Sequence, residues 1–404
     1  MKVLLLGSGG REHALAWRLV RSPQLDELHA APGNPGIAAL GDCHPVRAED
    51  AEAVLELARS LDVDLVVVGP EAPLVAGVAD DLRHGGVAVF GPSAAAARIE
   101  GSKSFAKEVM GAAGVAHPRP LPVARPPCVV KADGLAAGDR VHVCRTDAEL
   151  DAALRARAAI GGAVVIEELL EGEEVSVVAV TEGMRTIALP AAQRFKRLED
   201  GDPGPHTGGI GASAPVDGVD SDELVDVIHR PVLERLAKLA APFLGALLAR
   251  LMLTEKGPSV LELGCSFGDP ETEVLVPLLE DDLLEALAAA AAGDLRGVEL
   301  RAAERAAVTV VLASGSFPEG EDAGSPIDGI EEAEADGALV FHAGTAVRGG
   351  RLVTNGGRIL AVTATADAVA DAREKSYAAA ERIRFPGARY RRDVAAERGE
   401  RVGG

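Results

Sequence analysis

The stretch that decides how this chain is interpreted is SVLELGCSFGDPETE, residues 259–273. Turn-forming residues 256–258 precede it and its early residues are apolar, which predicts a buried strand. Glu262 interrupts the apolar run and places a carboxylate near the end of that strand. Further carboxylates follow the chain-breaking Gly268-Asp269-Pro270. Such a stretch is either a solvated acidic turn or a site where carboxylates hold Mg²⁺ against phosphates.

The amino-terminal segment repeats one pattern, in which a short apolar strand is followed by a glycine- or proline-rich turn and a helical segment. The predicted strands are Lys2–Gly7, Leu28–Ala31, Leu65–Val68 and Val87–Phe90. This alternation predicts a doubly wound parallel sheet that binds ligands at the carboxyl ends of its strands. The first turn, GSGGREH at residues 7–13, has Glu12 where a dinucleotide fingerprint has its third glycine. It predicts either a phosphate site or a tight turn without a ligand.

The composition limits the classes of partner. A net charge of −21 over 404 residues argues against binding to nucleic acid or to an anionic membrane. The apolar run at 239–249 is too short to span a bilayer, and the amino terminus has no signal-peptide pattern. The four cysteines lie far apart without metal-binding spacing, which predicts reduced thiols and a cytoplasmic location.

Lysine occurs at only eight positions, so each lysine near a flexible loop is informative. Lys103 and Lys107 lie at the start of a predicted helix, and Lys131 ends a predicted strand that runs into the small-residue loop 132–138. This arrangement is typical of a polyphosphate site, although an exposed edge-strand lysine is the alternative. Glutamates at 167–174 follow a strand and could accept hydrogen bonds from an adenine amino group or from ribose hydroxyls.

Two glycine-rich segments predict loops. Residues 201–211 are expected to form a long, mobile binding loop. Asn355-Gly356-Gly357 is expected to be a tight turn between strands 351–354 and 358–363, and this structural reading is favoured over a catalytic role. Glu71, in a turn after the third strand, is either a simple loop residue or an acceptor for a substrate hydroxyl or amine.

The order of these segments is similar to that of the phosphoribosylamine–glycine ligase family, in the ATP-grasp superfamily. The segments that carry the resemblance are GSGGREHALAW, APGNPG, VVVGPEAPLVAGV, FGPS, EGSKSFAK, KADGLAAG, EELLEGEEVS, GPHTGGIGA, FGDPETE, FHAGT and TNGGRIL. The resemblance implies an α/β fold with three parts. These are an amino-terminal α/β substrate domain (1–100), an ATP-grasp α+β domain (101–300, with a small lid at about 114–180) and a mixed β/α carboxy-terminal domain (301–404).

The resemblance also implies an activity, ATP-dependent ligation of glycine to 5-phosphoribosylamine through a glycyl phosphate, in purine synthesis. Its implied cofactors are ATP and Mg²⁺ or Mn²⁺, its partners are small molecules only, and it is expected to be a monomer. The residues implied for catalysis are Lys103, Lys131, Asp269 and Glu271. Those implied for ATP are Lys103, Lys131, Gly134, Gly138, Glu167, Glu168 and Glu174, with Glu262 for the metal. Those implied for substrates are Gly9, Gly10, Arg11, Glu12, Asn34, Glu71, Thr207, Gly208, Gly209, Asp269 and Pro270.

The sequence departs from the family pattern around the phosphoryl-transfer site. Gly264 stands where the family usually has asparagine, Ser266 where it has arginine, and Arg250 where it has glycine. His206 replaces an asparagine, Ser213 a tyrosine, and Asp139-Arg140 a Lys-Gly pair. A working enzyme with rearranged ligands is the favoured interpretation. The alternatives are an ATP-grasp ligase for another amine and amino acid, or a nucleotide-binding relative without catalysis.

Overall fold

The computed structural model describes residues 1–135 and 141–396 of the chain. Gly138, which the resemblance assigns to ATP binding, and the departures Asp139 and Arg140 lie outside the described residues. Within these two ranges, no helix combines the length and the apolar character needed to cross a bilayer.

The amino-terminal residues form a parallel sheet covered by helices on both faces. The elements are β1 (Lys2–Gly7), α1 (Gly10–Leu19), β2 (Glu27–Pro32), α2 (Pro35–Ala38), β3 (Asp42–Cys43), α3 (Ala51–Leu61), β4 (Leu65–Val68), α4 (Glu71–Ala76), α5 (Val78–His84), β5 (Val89–Phe90) and α6 (Ala94–Gly101). The strand order is β3-β2-β1-β4-β5. Val3 to Leu6 of the central strand are fully buried, as a parallel sheet with two covered faces requires. The predicted doubly wound sheet is confirmed.

A small antiparallel sheet and two helices follow. The elements are α7 (Lys103–Ala113), β6 (Cys128–Ala132), β7 (Val141–Cys144), α8 (Asp147–Ile160) and β8 (Val164–Glu168), with strand order β7-β6-β8. Ser102 caps α7 by accepting a hydrogen bond from the Phe105 amide at 3.2 Å. Cys128 and Val130 are fully buried on the face of β6 that packs with α8. The strand predicted to end in Lys131 is therefore present.

The stretch at 259–273 begins in an antiparallel sheet of four strands. These are β9 (Glu173–Thr181), β10 (Thr186–Ala188), β13 (Gly245–Thr254) and β14 (Gly257–Gly264), in the order β10-β9-β13-β14. The predicted strand at 260–263 is β14, at one edge. In its register with β13, Arg250 lies opposite Glu262 and Leu248 opposite Gly264. Directly opposite residues share one face of a sheet, so these four positions lie together.

Six helical segments lie in the same part of the chain. They are α9 (Ser221–Leu224), a π-helical turn (Val225–His229), α10 (Arg230–Lys238), α11 (Thr272–Leu275), a 3₁₀ turn (Val276–Leu278) and α12 (Leu283–Ala292). The acidic residues after Gly268 are thus not a solvated turn. Glu271 and Glu273 lie at the start of α11 with at most 1% of their surface exposed.

A five-stranded antiparallel sheet crosses the predicted boundary at residue 300. Its strands are β11 (Gln193–Arg197), β12 (His206–Ala214), β15 (Ala306–Ala313), β17 (Leu339–His342) and β20 (Arg358–Ala366), in the order β11-β12-β15-β20-β17. The prediction of a long loop at 201–211 is therefore wrong for residues 206–211, which belong to β12. Glycine at 211 is required because a Cβ there would lie 2.6 Å from Val394.

The remaining elements form a small carboxy-terminal layer. They are β16 (Asp322–Pro326), α13 (Ile330–Ala335), β18 (Thr345–Arg348), β19 (Arg351–Gly356) and α14 (Val369–Ala380), with strand order β16-β19-β18. The predicted hairpin around Asn355 is wrong, because β19 and β20 belong to different sheets. The hairpin instead joins β18 to β19 through Gly349-Gly350. Both glycines have positive φ, 57° and 76°, as a type I′ turn requires.

One apolar core connects the amino-terminal sheet to the rest of the chain. It runs from Leu5 and Phe90 to Phe267, and on to Val308 and Phe341. The rings of Phe90 and Phe267 stack with centroids 5.9 Å apart. This stacking fixes the middle of the 259–273 stretch against the carboxyl edge of the parallel sheet.

A carboxy-terminal clip holds the loop before β12. Arg391, 1% exposed, donates from Nη1 to the Asp202 carboxylate at 2.5 Å and to the Arg197 carbonyl at 3.1 Å. Asp393 accepts from Arg391 Nη2 at 2.8 Å and from the Gly201 amide at 2.9 Å. The clip thereby anchors the segment that leads into residues 205–208.

Candidate active site

A cavity of about 890 Å³ opens between the turns of the parallel sheet, β14 and β12. Its volume suits a ligand of metabolite or nucleotide size. The predicted site residues on its wall are Arg11, Glu71, Lys103, Gly134, Thr207, Gly208, Glu262 and Asp269. Charged residues that are not predicted for the site also line it, namely Glu100, Arg194, Lys196, Arg250, Glu319 and Arg358. A neighbouring cavity of about 750 Å³ shares Arg194, Lys196 and His206 and is lined by Glu174.

Glu262 lies on the cavity wall among cations. Its carboxylate is 3.3 Å from the Lys103 ammonium and 3.9 Å from the Arg250 guanidinium. Burial raises the pKa of Glu262, but Lys103, Lys196, Lys131 and Arg250 together hold it well below its usual range. The residue is therefore ionised and surrounded by positive charge at neutral pH.

The loop after β6 fixes the position of Lys103. Asp133 accepts from the Lys103 amide at 2.6 Å and from the Ser104 hydroxyl at 2.5 Å. A carboxylate at a helix amino terminus accepts hydrogen bonds from free backbone amides and interacts favourably with the helix dipole. Gly134, with φ of 112°, follows and lines the cavity. The small sheet is thereby joined to the start of α7.

Glu271 does not line the cavity; it anchors the guanidinium groups that do. It is fully buried and accepts from the Ser176 hydroxyl at 2.9 Å and from Arg250 Nε at 3.3 Å. Arg194 Nε lies 3.7 Å from the same carboxylate oxygen. Burial raises the pKa of Glu271, but Arg250 and Arg194 outweigh it and lower the pKa to about 2.

Lys131 is more enclosed than the sequence predicts. It was expected to face phosphate outside the core, but it is 4% exposed. Its ammonium lies 2.5 Å from Glu167 and donates to the Leu261 carbonyl of β14 at 3.0 Å. Glu167 also lies 2.5 Å from Lys107. Lys131 therefore joins the small sheet to β14 through its contacts with Glu167 and with the Leu261 carbonyl.

The other glutamates predicted to contact ATP lie apart from the first cavity. Glu168 accepts from the Arg119 amide at 3.0 Å. Glu174 pairs with Lys196 and lines the neighbouring cavity. Burial lowers the pKa of His206 to about 4, assisted by Arg197 and Lys196, so this residue is neutral at physiological pH.

The amino-terminal turn is organised around Glu12, which explains the missing third glycine. Its carboxylate accepts from the Gly9 amide and from Arg11 Nε, both at 2.6 Å. A Cβ at Gly7 or Gly69 would lie 2.5 or 2.4 Å from Glu12. Glu12 therefore fills the turn itself. Its neighbour Arg11 lines the cavity.

Arg11 connects this turn to the 259–273 stretch. Its Nη1 donates to the Phe267 carbonyl at 2.9 Å and to the Ser266 hydroxyl at 3.3 Å. Glu71 lies 3.7 Å from the same nitrogen. Arg11 and Glu71 thus meet where the sequence predicts substrate contacts. Gly10 packs on the other side, where a Cβ would lie 2.6 Å from Glu273.

The side chain of Asn34 makes its hydrogen bonds to the protein backbone. Its amide nitrogen donates to the carbonyls of Ser8 at 2.9 Å and His342 at 2.7 Å. Its oxygen caps α2 by accepting from the Ile37 amide at 2.9 Å. Both polar atoms of the side chain are used, and Asn34 does not line the cavity. Its predicted contact with substrate stays a prediction.

Asp269 and Arg358 form a two-point ion pair on the cavity wall, with distances of 2.6 and 2.9 Å. Arg358 comes from β20, far along the chain, and its only sequence signal was its place in TNGGRIL. Next to this pair, Gly209 has φ of 128°, and a Cβ there would lie 2.4 Å from Pro270. Gly209 and Pro270 therefore serve the close packing of β12 against the segment that precedes α11.

Comparison with known proteins assigns the chain along nearly its whole length. Residues 1–100, 101–272 and 307–397 match the N domain, the ATP-grasp (A) domain and the C domain of phosphoribosylglycinamide synthetase. The phosphoribosylamine–glycine ligase of Mesorhizobium japonicum is 46% identical over 98% of this chain and 97% of its own length. That of Streptomyces coelicolor is 47% identical over 98% and 99%.

A solved structure agrees with these relatives. The crystal structure of phosphoribosylamine–glycine ligase from Thermotoga maritima superposes with a TM-score of 0.83 at 33% identity, covering 98% of this chain and 100% of that one. The three-part fold and the full-length identity lead to one assignment. The chain belongs to the phosphoribosylglycinamide synthetase family of ATP-grasp enzymes.

Proposed function

We propose that this protein ligates glycine to 5-phosphoribosylamine with ATP, giving glycinamide ribonucleotide, ADP and phosphate. The observation that carries the proposal is the composition of one cavity in a chain of this family. Its wall holds Lys103 and Glu262, suited to a phosphate and a metal ion, and also Arg11 and the Asp269–Arg358 pair. Both halves of a ligation can therefore be bound in the same space.

The donors present fit one hard divalent cation, Mg²⁺ or Mn²⁺, held partly by the nucleotide. Among residues 1–135 and 141–396, no group of three or more His, Cys, Asp or Glu side chains is arranged to hold a metal ion. Mg²⁺ is commonly bound through one or two carboxylates with substrate phosphates and water. Glu262, ionised and on the cavity wall, fits that role. The metal would offset negative charge on the transferred phosphoryl group.

The proposed chemistry has two steps. A carboxylate oxygen of glycine attacks the γ-phosphorus of ATP, the bond to the β-phosphate oxygen breaks, and ADP leaves. The amine of phosphoribosylamine then attacks the acyl carbon of glycyl phosphate, phosphate leaves, and the nitrogen loses one proton. Lys103 stabilises the phosphoryl charge, and positioning supplies much of the acceleration. Asp269 and Glu71 are the proposed proton acceptors on the Arg11 side of the cavity.

The other assignments extend this proposal. Lys131 is proposed to reach the phosphates when the small sheet moves away from β14, since its present hydrogen bond to Leu261 joins those two surfaces. Glu167, Glu168 and Glu174 are proposed to surround the adenosine part. The protein is proposed to act as a monomer on small molecules, in the cytoplasm, where its four free cysteines stay reduced.

The test is release of ADP in a coupled assay with ATP, Mg²⁺, glycine and freshly made phosphoribosylamine. We expect turnover that requires all four components, and mass-spectrometric detection of glycinamide ribonucleotide. Glu262→Gln should abolish metal-dependent turnover, whereas Glu223→Gln, at an exposed position on α9, should leave it unchanged. Turnover with another amine and amino acid, but not with this pair, would replace the proposed substrates. ATP binding without turnover on any pair would overturn the proposal of catalysis.

A further inference from the structure

Positions 250 and 266 both lie on the cavity wall, and only position 250 carries a guanidinium. Position 266 is serine, and its hydroxyl accepts from Arg11 at 3.3 Å. Position 250 is arginine, on the strand next to β14. Because residues 248, 250, 262 and 264 share one face of the sheet, the side chain of Arg250 enters the cavity beside Glu262.

Arg250 is held at its inner end and open at its outer end. Its Nε donates to the buried carboxylate of Glu271 at 3.3 Å, while its Nη1 lies 3.9 Å from the Glu262 carboxylate, beyond hydrogen-bond range. Within the described parts of the chain, neither terminal nitrogen of Arg250 donates a hydrogen bond to the protein. A guanidinium can present two parallel N–H groups to a carboxylate, and this one faces the cavity.

The two cations beside Glu262 lie on different sides of it. Lys103 approaches one carboxylate oxygen from α7 and the small sheet, and Arg250 approaches the other from β13. Arg250 shares Glu271 with Arg194, and Arg194 donates to the Gly208 carbonyl at 3.1 Å. The Arg250 side of Glu262 is therefore the side of residues 207–208, away from the start of α7.

We propose that Arg250 binds the carboxylate of the amino-acid substrate and so supplies the positive charge that Ser266 does not carry. This inference rests on the proposed function and names the residue that anchors glycine. A two-point hydrogen bond from Arg250 holds the carboxylate next to the γ-phosphate and offsets the repulsion between the two anions. Its attacking oxygen then forms the bond to phosphorus as ADP leaves, so no proton needs to be transferred in that step.

The test uses substitutions that remove, weaken or relocate the guanidinium. For Arg250→Gln we expect the KM for glycine to rise about 30-fold, which corresponds to the loss of a charge-assisted contact of about 2 kcal/mol. The KM for ATP should change by less than about threefold. Arg250→Lys should be intermediate, because an ammonium cannot make the two-point contact. Arg155→Gln, on the exposed face of α8, is the matched control.

Relocation separates binding from structural support. In the double variant Arg250→Gly with Ser266→Arg, we expect the kcat/KM for glycine to recover at least about tenfold over Arg250→Gly alone. Calorimetric titration of glycine into the protein with a non-hydrolysable ATP analogue should show binding to the wild type and a weakened affinity in Arg250→Gln. This measurement does not depend on turnover.

The inference is overturned if Arg250→Gln binds glycine as the wild type does, or if its KM values for glycine and ATP rise equally together with a loss of melting temperature. A wild-type protein that neither binds glycine nor turns it over would instead overturn the proposed function. The two failures are therefore distinguishable.

Discussion

Two buried ion clusters show how similar charges serve different purposes in this molecule. We call Lys107, Glu167 and Lys131 the closed cluster, and Arg194, Glu271 and Arg250 the open cluster. In each, one carboxylate with at most 1% exposure lies between two cations. The clusters differ in the surroundings of their cations on the side away from the shared carboxylate.

In the closed cluster each ammonium also donates to a backbone carbonyl. Lys107 reaches Pro118 at 3.1 Å and Lys131 reaches Leu261 at 3.0 Å. In the open cluster Arg194 also donates to a backbone carbonyl, that of Gly208 at 3.1 Å, but both cations line a cavity. Burying an ion pair rarely stabilises a protein more than apolar packing would, because of the desolvation cost. The closed cluster therefore serves mainly to join two surfaces, whereas the open cluster holds charge ready for a ligand.

The largest expected effect comes from breaking the open cluster at its centre. Glu271→Ala would leave the buried charges of Arg194 and Arg250 without their carboxylate. We expect the free energy of unfolding to fall by about 3–5 kcal/mol, measured by urea denaturation, and activity to be lost. Ser176→Ala, which removes one hydrogen bond to the same carboxylate, should cost only about 1 kcal/mol. Equal losses in the two variants would contradict the central place of Glu271.

The closed cluster offers a matched pair of lysines. Lys131→Met and Lys107→Met each remove one partner of Glu167 and should destabilise the protein by similar amounts. Only Lys131→Met should also reduce kcat/KM for ATP, by an amount equivalent to about 2–4 kcal/mol of transition-state stabilisation. Steady-state kinetics beside thermal unfolding of both variants checks this. Equal kinetic effects would mean that Lys131 has only a structural role.

The Mg²⁺ requirement for activity can test whether position 264, next to the open cluster, faces the metal ion. Introducing an amide beside Glu262, with Gly264→Asn, should lower the Mg²⁺ concentration needed for half-maximal activity, because a second oxygen ligand would replace water. A Cβ at 264 would lie 3.3 Å from Leu248, so the variant is best paired with Leu248→Ala. An unchanged Mg²⁺ dependence in that double variant, compared with Leu248→Ala alone, would show that position 264 does not face the ion.

The smallest expected effect is on the pH dependence of stability, to which the two buried glutamates of the 259–273 stretch, Glu271 and Glu273, contribute. The pKa of Glu271 is about 2 in the folded protein, so its stabilising contribution is present above its unfolded pKa of about 4.5 and is lost as the pH falls toward 2. Burial and Asp269 raise the pKa of Glu273 well above its usual range. Between the unfolded and the folded pKa the folded state binds the extra proton, so stability falls as the pH rises.

Glu273→Gln should therefore raise the melting temperature at neutral pH by a few degrees, with the advantage disappearing below about pH 4.5. Melting curves from pH 4 to pH 8 measure it. A lower melting temperature across that whole range would show that the ionised carboxylate is stabilising.

The sequence predicts the parts of this fold that depend on local pattern. The strand at 2–7, the turn at 7–13 and the strand that carries Glu262 are all found, because apolar runs between glycine turns specify such elements without distant information. Glu262, Lys103 and Arg11 meet in one cavity as the family resemblance implies.

The features that the local sequence does not predict have a common cause, which is contact between distant residues. No local sequence pattern shows that Asn34 donates a hydrogen bond to the His342 carbonyl, or that Lys131 donates one to the Leu261 carbonyl. The Asn355-Gly356 pair has a strong turn pattern, yet its strands enter different sheets. In the sequence Arg250 is marked only as a departure from the family pattern. Its register opposite Glu262 shows which face of the sheet its side chain lies on.

The clip made by Arg391 has a consequence for how the protein is synthesised. Asp202 and Arg391 are separated by 189 positions, so the loop that leads into residues 205–208 leaves the ribosome long before its anchor does. A nascent chain that has reached the end of β14 already contains Glu262, Lys103 and Arg250. The clip can fix the neighbouring wall of the cavity only after a further stretch of some 130 residues has been translated, so a complete cavity is a property of the finished polypeptide.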